Sequence, residues 1–195
     1  MYFPEHLLIE MYKFAPVLPI ESTQLLSHQQ NIFGCARPGY SDRAVEKWLE
    51  FIDRQNIAQI CCLLAEHQLD RYEHNLLDIY DRKFGKDRVC WAPIADFQLC
   101  ELSMLTDRIL PFLATADRAS RKVVVHCSGG IGRTGHILAA WLVYKYRYSN
   151  REAIATIIKT GRNPYEAAIY GIFRGKNIFN SIQELNLLLD CCRSS

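Results

Sequence analysis

The sequence predicts an α/β fold, a single domain with a mostly parallel central sheet and helices on both of its faces. Short apolar runs rich in valine, isoleucine and cysteine alternate with longer amphipathic segments, which is the pattern of repeated β–α units. The run from Ile57 to Leu64 is almost continuously apolar, as in a strand that is buried on both faces. At 195 residues the chain suffices for one domain with a sizeable core.

The predicted elements follow one another along the chain in two parts. In the N-terminal segment, residues 1–30, we expect Met11 to Pro19 to form an edge strand that prolines interrupt, within the same domain. Residues 31–195 form the main body of that domain, where Ser41 is expected to cap the first helix. The strands are predicted at 31–36, 57–64, 88–94 and 122–126. The later helices are predicted at 70–84, 102–116, 134–148, 150–159 and 181–191.

Composition excludes several classes of protein. Apolar residues make up 49% of the chain and charged residues 23%, with a net charge of +2, as in an ordinary globular protein. No apolar run reaches the length of a membrane span, and the N-terminus has no signal-peptide pattern. The eight cysteines include adjacent pairs such as Cys61 and Cys62 within an apolar run, which favours free thiols and a cytoplasmic location. Their spacing does not indicate a metal site.

One loop contains the residues with the strongest chemical signal. It lies between the predicted strand 122–126 and the predicted helix 134–148, and it holds Cys127 and Arg133 six positions apart. Three of the five residues between them are glycine. These five residues are Ser128, Gly129, Gly130, Ile131 and Gly132.

A strand, a glycine-rich turn and a helix in this order can bind a phosphoryl group. Glycines allow the backbone to curl so that successive N–H groups point into one concavity, and the N-terminus of the following helix favours an anion. Arg133 can bind two phosphoryl oxygens with its planar guanidinium, which lysine cannot do. The same positive environment favours the thiolate form of Cys127, the form that attacks. The loop is therefore predicted to bind a phosphoryl group and to carry the nucleophile.

The segment His-Cys-Ser-Gly-Gly-Ile-Gly-Arg-Thr-Gly, which begins at His126, resembles the H-C-x5-R-[S/T] signature of protein tyrosine and dual-specificity phosphatases. The resemblance extends from about Phe33 to the C-terminal helix. It implies that Cys127 takes the phosphoryl group and that water then hydrolyses the cysteinyl-phosphate. It also implies that His126 supports the loop, that the Thr134 hydroxyl assists departure of the sulfur, and that Asn163 supports the loop from a neighbouring turn.

A general acid is also required, since a positioned proton donor accelerates expulsion of the leaving group by typically 10²–10⁴-fold. Asp96 follows the predicted strand 88–94 and precedes Cys127 by 31 positions, a placement similar to that of the acid in compact dual-specificity phosphatases. Asp107 and Glu101 are less favoured because they lie within a helical pattern. The Trp-Pro-Asp triplet of the large tyrosine phosphatases is absent, which leaves the preference between phosphotyrosine and phosphoserine or phosphothreonine open.

The expected function is hydrolysis of phosphotyrosine first, and phosphoserine or phosphothreonine second, in phosphorylated proteins, with neither a metal nor another cofactor. The same chemistry on a phosphoinositide, an inositol phosphate or an RNA 5′ phosphate is an alternative. The neutral stretch from Ser128 to Gly132 weighs against it, because loops for polyanionic substrates tend to carry lysines there. A phosphate-binding module without turnover, a sulfurtransferase or an arsenate reductase would leave Asp96 or Thr134 unexplained. We expect neither nucleic acid nor a membrane as a partner.

Overall fold

The computed structural model of the protein describes residues 4–17, 30–166, 170 and 177–193. Its described residues include a five-stranded sheet in the spatial order β1-β2-β5-β3-β4. The strands are β1 Ala15–Pro16, β2 Ile32–Ala36, β3 Ile57–Cys62, β4 Val89–Trp91 and β5 Lys122–Cys127. Strand β1 pairs antiparallel with β2, whereas the pairings of β5 with β2 and β3 and of β3 with β4 are parallel. The prediction of an α/β domain with a mostly parallel sheet is confirmed.

Helices cover both faces of this sheet. Among the described residues the α-helices are α1 Glu5–Tyr12, α2 Asp42–Arg54, α3 Glu66–Leu69, α4 Leu76–Phe84, α5 Leu110–Arg118, α6 Gly132–Tyr146, α7 Asn150–Lys159 and α8 Ile178–Cys191. A 3₁₀ turn at Lys86–Arg88 precedes β4, and a π-helical stretch at Met104–Ile109 leads into α5.

The central strand β5 divides the apolar interior into two cores. Val123 and Val125 pack on one face with residues of α5, α6, α7 and α8, whereas Val124 packs on the other face with α1, α2 and α4. This alternation follows from the two-residue side-chain period of a strand. Because β5 is buried on both faces, its carboxyl end is held firmly, and the predicted loop begins there.

Several element boundaries differ from the predictions for local physical reasons. Helix α4 begins at Leu76 rather than at residue 70, because the Asn75 side chain accepts hydrogen bonds from two backbone N–H groups of the first turn. The strand predicted at 88–94 is limited to Val89–Trp91, although the N–H groups of Ala92 and Ile94 still donate to Cys62 and Leu63. The Ser41 cap is confirmed, since its hydroxyl accepts from the Ala44 N–H.

The N-terminal segment differs more from the prediction. Residues 5–12 are helical, and the edge strand predicted from Met11 to Pro19 is limited to Ala15–Pro16. Leu18 and Pro19 lie outside the described residues. A proline suits this edge position because it has no N–H to donate to a further strand. Helix α1 packs on the α2 side of the sheet, where the Tyr12 and Phe51 rings lie 5.2 Å apart.

In the part of the chain that the structure describes, we find no helix both long and apolar enough to span a bilayer.

Candidate active site

Cys127 is the last residue of β5, at the carboxyl end of the central strand. In open α/β sheets this edge is where ligands bind. Its carbonyl oxygen accepts a hydrogen bond from the Arg37 N–H at 3.0 Å, and the same N–H lies 3.3 Å from the Ser128 carbonyl. The Cys127 side chain is only 2% exposed. The nucleophile predicted from the sequence is therefore held at the end of a strand that neighbours fix on both sides.

The three glycines after Cys127 differ in whether their surroundings leave room for a side chain. Gly130 has a φ of +69°, and a Cβ there would lie 2.5 Å from the carbonyl group of Cys35, so only glycine fits. A Cβ on Gly132 would overlap the side chain of Glu166. A Cβ on Gly129 would meet no atom within 4 Å. The loop is thus pressed against β2 at Gly130 and against a glutamate at Gly132, and it then enters α6.

Arg133 is buried, and the two terminal nitrogens of its guanidinium have different partners. Its Nη1 donates to the Gln68 Oε1 at 2.7 Å and to the Ile94 carbonyl at 2.8 Å. Its Nη2 forms an ion pair with the Asp96 Oδ1 and makes no hydrogen bond of good geometry to a described residue. Protein oxygens therefore fix the Nη1 side of the guanidinium, and the Nη2 side is left to face an anion.

Asp96 lies in the loop after β4, in contact with Arg133 as well as with Gln68, whose Nε2 donates to its Oδ2 at 2.8 Å. The next residue, Phe97, has a left-handed backbone with a φ of 60°, and its ring stacks on Tyr170 with centroids 3.8 Å apart. The structure therefore brings Asp96 and Arg133 together, as the placement of Asp96 required. Asp107, by contrast, is exposed on its helix and accepts from a neighbouring hydroxyl.

His126 and Thr134 flank the loop and are both fully buried. The His126 Nε2 lies 3.3 Å from the Tyr80 hydroxyl, and its ring packs edge-on against Tyr80 and Trp48. Burial lowers the pKa of His126 to about 3, so the ring is neutral at physiological pH. The Thr134 hydroxyl makes no hydrogen bond within the described residues. His126 thus braces the end of β5, and the Thr134 hydroxyl is available for another partner.

The segment after α7 packs against the beginning of α6. The Asn163 side chain accepts from the Tyr165 N–H at 3.1 Å and so stabilises its own turn, while its backbone lies against Gly135. The neighbouring Arg162 is buried, and its Nη2 donates to the carbonyls of Gly34 and Lys13. Arg162, one residue before the predicted Asn163, therefore connects this segment to β2 and to the residue after α1.

Four residues that the sequence did not single out also belong to this region. They are Gln68, His136, Arg162 and Glu166. His136 accepts a hydrogen bond from the Cys100 N–H at 3.1 Å, and burial lowers its pKa to about 4. Arg162 and Glu166 lie in the same short segment as the predicted Asn163, whereas Gln68 lies 65 positions from Arg133 and has no local signal. Gln68 could be found only from the folded chain.

A groove of about 440 Å³ opens beside the loop, and Ser128 is part of its lining. Basic side chains of Arg37 and Lys47 line it together with apolar side chains of α1 that include Met11, which is 55% exposed. A larger cavity, about 610 Å³, lies between α2 and α4 and contains no residue of the loop. Within residues 4–17, 30–166, 170 and 177–193, we find no group of three or more His, Cys, Asp or Glu side chains that could hold a metal ion.

Comparison with known proteins identifies the family of the chain. Residues 50–168 match the family described as dual specificity phosphatase, catalytic domain. The chain belongs to this family.

Among curated relatives, it is 44% identical over 120 residues to dual specificity protein phosphatase CDC14AB of Danio rerio, a match that covers 61% of this chain and 17% of that protein. It is 28% identical over 81 residues to dual specificity protein phosphatase OPG106 of vaccinia virus, which covers 41% and 47% of the two chains. The matches therefore span less than half of the length of these relatives.

Solved structures share the fold over most of the chain. The kinase associated phosphatase, in a variant whose catalytic-site cysteine is replaced by serine, has 25% identity and a TM-score of 0.63, with 78% of this chain and 90% of that chain covered. PTPMT1 in complex with PI(5)P has 14% identity and a TM-score of 0.64, with 93% and 97% covered. At 14% identity the second likeness shows the fold alone.

Proposed function

We propose that the protein hydrolyses phosphotyrosine first, and phosphoserine or phosphothreonine second, in phosphorylated proteins through a cysteinyl-phosphate intermediate. The observation that carries this proposal is the meeting of Cys127, Arg133 and Asp96 around one glycine turn. Cys127 and Arg133 lie at the two ends of that turn, and Asp96 is ion-paired with Arg133. Nucleophile, anion-binding cation and proton donor are thus assembled from two loops.

In the first step, the thiolate of Cys127 attacks the phosphorus atom of the bound ester. An S–P bond forms while the P–O bond to the side chain breaks, and Asp96, which takes part in this step in its protonated form, transfers its proton to the departing oxygen. Arg133 and the N-terminus of α6 stabilise the negative charge on the phosphoryl oxygens. The buried environment strengthens these interactions because little water competes for them.

In the second step, water attacks the phosphorus atom and the S–P bond breaks, which releases inorganic phosphate. The Asp96 carboxylate takes the proton of the water. The Thr134 hydroxyl, which is buried and has no described partner, donates a hydrogen bond to the sulfur as it leaves. Regeneration of the thiolate and of protonated Asp96 completes the cycle.

Two observations support a protein rather than a lipid or nucleotide substrate. The groove beside Ser128 offers both basic and apolar side chains, which suits the residues next to a phosphorylated side chain. The loop from Ser128 to Gly132 carries no lysine or arginine for further phosphate groups. PTPMT1, which binds a phosphoinositide, shares only the fold with this chain, so its ligand is no argument for a lipid substrate here. We place the enzyme in the cytoplasm, because its chemistry needs a reduced thiol at Cys127.

The proposal is tested with a panel of phosphotyrosine, phosphoserine and phosphothreonine peptides and with an aryl phosphate whose leaving group is very acidic. Asp96→Ala should slow phosphotyrosine hydrolysis by roughly 10²–10⁴-fold but slow the aryl phosphate far less, because that ester needs no proton. Cys127→Ser should abolish turnover and still bind the peptide. Asp107→Ala, which removes an exposed aspartate outside the loop, is the matched control.

The outcomes separate the parts of the proposal. Equal slowing of both esters by Asp96→Ala would mean that another residue is the proton donor. Turnover by Cys127→Ser near the parent rate would reject the nucleophile. Hydrolysis of phosphoinositides with no hydrolysis of any peptide in the panel would reject a protein substrate. The proposed cysteinyl-phosphate mechanism would then still stand.

A further inference from the structure

Glu166 is an acidic side chain beside the loop that the mechanism above does not use. It follows Tyr165 in the turn after α7, and its side chain lies where a Cβ on Gly132 would be. Its carboxylate lies against the Gly132 backbone, where a Cβ would otherwise project. Gly132 is the residue immediately before Arg133, so this contact lies at the N-terminus of α6. The carboxylate therefore lies beside the part of the loop where a phosphoryl group needs donors.

The position of Glu166 is fixed by its own segment. The Glu166 N–H donates to the Asn163 carbonyl at 3.1 Å, and the Asn163 side chain caps the turn. Buried Arg162 ties this turn to Gly34 in β2 and to Lys13 after α1. Because Gly132 has no side chain, the carboxylate can approach its backbone closely. The contact is thus a consequence of the packing of two segments and of a glycine that permits it.

Charged groups of both signs face Glu166 from the surrounding elements. They are Arg133 in α6, Asp96 in the loop after β4 and Lys13 after α1. Burial is the largest influence and raises the pKa of Glu166, Asp96 acts in the same direction, and Arg133 and the Gly132 N–H oppose it. A bound phosphate dianion would add two negative charges beside this carboxylate. Negative charge next to a carboxylate raises its pKa and so favours its protonated form.

We propose that Glu166 is a third ionisable group of the phosphate site, ionised when the site is empty and protonated when a phosphate ester is bound. This inference rests on the proposed function, since it requires that the loop from Cys127 to Arg133 bind phosphate. In the empty site the carboxylate lies against Gly132 and is stabilised by the positive charge of Arg133. On binding, one proton passes from solvent to the carboxylate, which becomes a neutral carboxyl group and no longer repels the phosphoryl oxygens.

Two measurable consequences follow from the proton balance. Binding of a phosphotyrosine peptide should be accompanied by uptake of up to about one proton, and affinity should rise as pH falls through the Glu166 pKa. Glu166→Gln should remove this part of the proton uptake, because an amide does not titrate. Above the Glu166 pKa the same variant should bind the peptide up to about tenfold more tightly, because it carries no charge to repel the phosphate.

The experiment uses the full chain with Cys127→Ser, so that the peptide binds without turnover. Calorimetric titration with one phosphotyrosine peptide, in two buffers of different ionisation enthalpy, gives both affinity and proton uptake across a range of pH. The same titration is made after adding Glu166→Gln, Glu166→Ala or Glu46→Gln. Glu46 is exposed on α2 and serves as the matched control. Proton exchange by the phosphate group itself is common to all variants and cancels in the differences.

Proton uptake that falls in both Glu166 variants and stays unchanged in Glu46→Gln is the expected result. Equal uptake and equal pH dependence with and without Glu166 would overturn the inference, and so would a uniform loss of affinity at every pH, which would indicate a purely structural role. Inorganic phosphate provides a second ligand. If it binds and the peptide does not, the protein substrate is rejected while Glu166 is still tested. If neither ligand binds, both proposals are rejected.

Discussion

The loop from Cys127 to Arg133 lies between two walls, one of backbone atoms and one of polar side chains. The inner wall, formed by Cys35, Ala36 and Arg37 at the end of β2, meets the loop through backbone atoms. The outer wall, formed by the side chains of Gln68, Asp96 and Glu166, is polar and partly open to solvent, with Asp96 42% exposed. Backbone atoms hold one geometry, whereas side chains can exchange protons and partners. We infer that the inner wall sets the shape of the loop and the outer wall its chemistry.

Arg133 joins the outer wall to the loop, so its substitution gives the largest expected effect. Arg133→Lys removes the planar fork that binds Gln68, the Ile94 carbonyl and Asp96. We expect kcat/KM for a phosphotyrosine peptide to fall by roughly 10²–10³-fold, with losses in both kcat and affinity. Steady-state kinetics measures this, and Arg82→Lys, an exchange at an exposed arginine, is the control. A change of less than about threefold would show that charge alone suffices.

Gly130 tests the inner wall. Gly130→Ala places a Cβ 2.5 Å from the Cys35 carbonyl group at a backbone φ of +69°, so the loop must shift away from β2. We expect a loss of about 1–3 kcal/mol in the free energy of unfolding and a strong fall in activity. Gly129→Ala is the matched control one residue earlier, where a Cβ meets nothing within 4 Å. Chemical denaturation compares the two, and equal stability would contradict the rigid inner wall.

Substitution of Gln68 measures how much kcat/KM depends on the one neutral side chain of the outer wall. It accepts from Arg133 through Oε1 and donates to Asp96 through Nε2, so Gln68→Leu leaves both charged partners short of a hydrogen bond. We expect kcat/KM to fall by about tenfold, in line with about 1–3 kcal/mol for a hydrogen bond to a charged group. The fall should be similar for peptides of all three phosphorylated residues. Gln183→Leu, on the exposed side of α8, should leave kcat/KM unchanged.

Stability should also depend on pH, through the buried His136. Its pKa is about 4 in the folded protein and 6.5 when exposed, because burial disfavours the charged form. Below pH 6.5 the unfolded chain therefore binds more protons, and stability is lost as pH falls towards 4. We expect this histidine to account for about 2 kcal/mol of that loss. Urea denaturation at pH 7 and pH 4.5 should show a smaller difference for His136→Gln than for the parent, whereas exposed His67→Gln should match the parent.

Some residues around the loop could be predicted from the sequence and others could not. Cys127, Arg133 and the glycines between them are neighbours in the chain, so local physics sufficed to propose them as a site. The strand before this loop and the helix after it are confirmed. Asp96 came from its position after a predicted strand, helped by the family resemblance. The prediction of an edge strand from Met11 was wrong at Met11 and Tyr12, which end the helix Glu5–Tyr12. Its helical conformation is tied to packing against α2, which its own sequence signals only weakly.

The sequence by itself determined the proposed class of chemistry, because a cysteine, an arginine and a predicted helix N-terminus occur within seven consecutive residues. Only the tertiary structure decided which distant side chains contact this segment. Gln68 reaches Arg133 from 65 positions away, and Arg162 reaches Gly34 from 128 positions away. Such contacts arise where parallel strands end at one edge of the sheet and their loops converge. No local pattern records which residues will meet there.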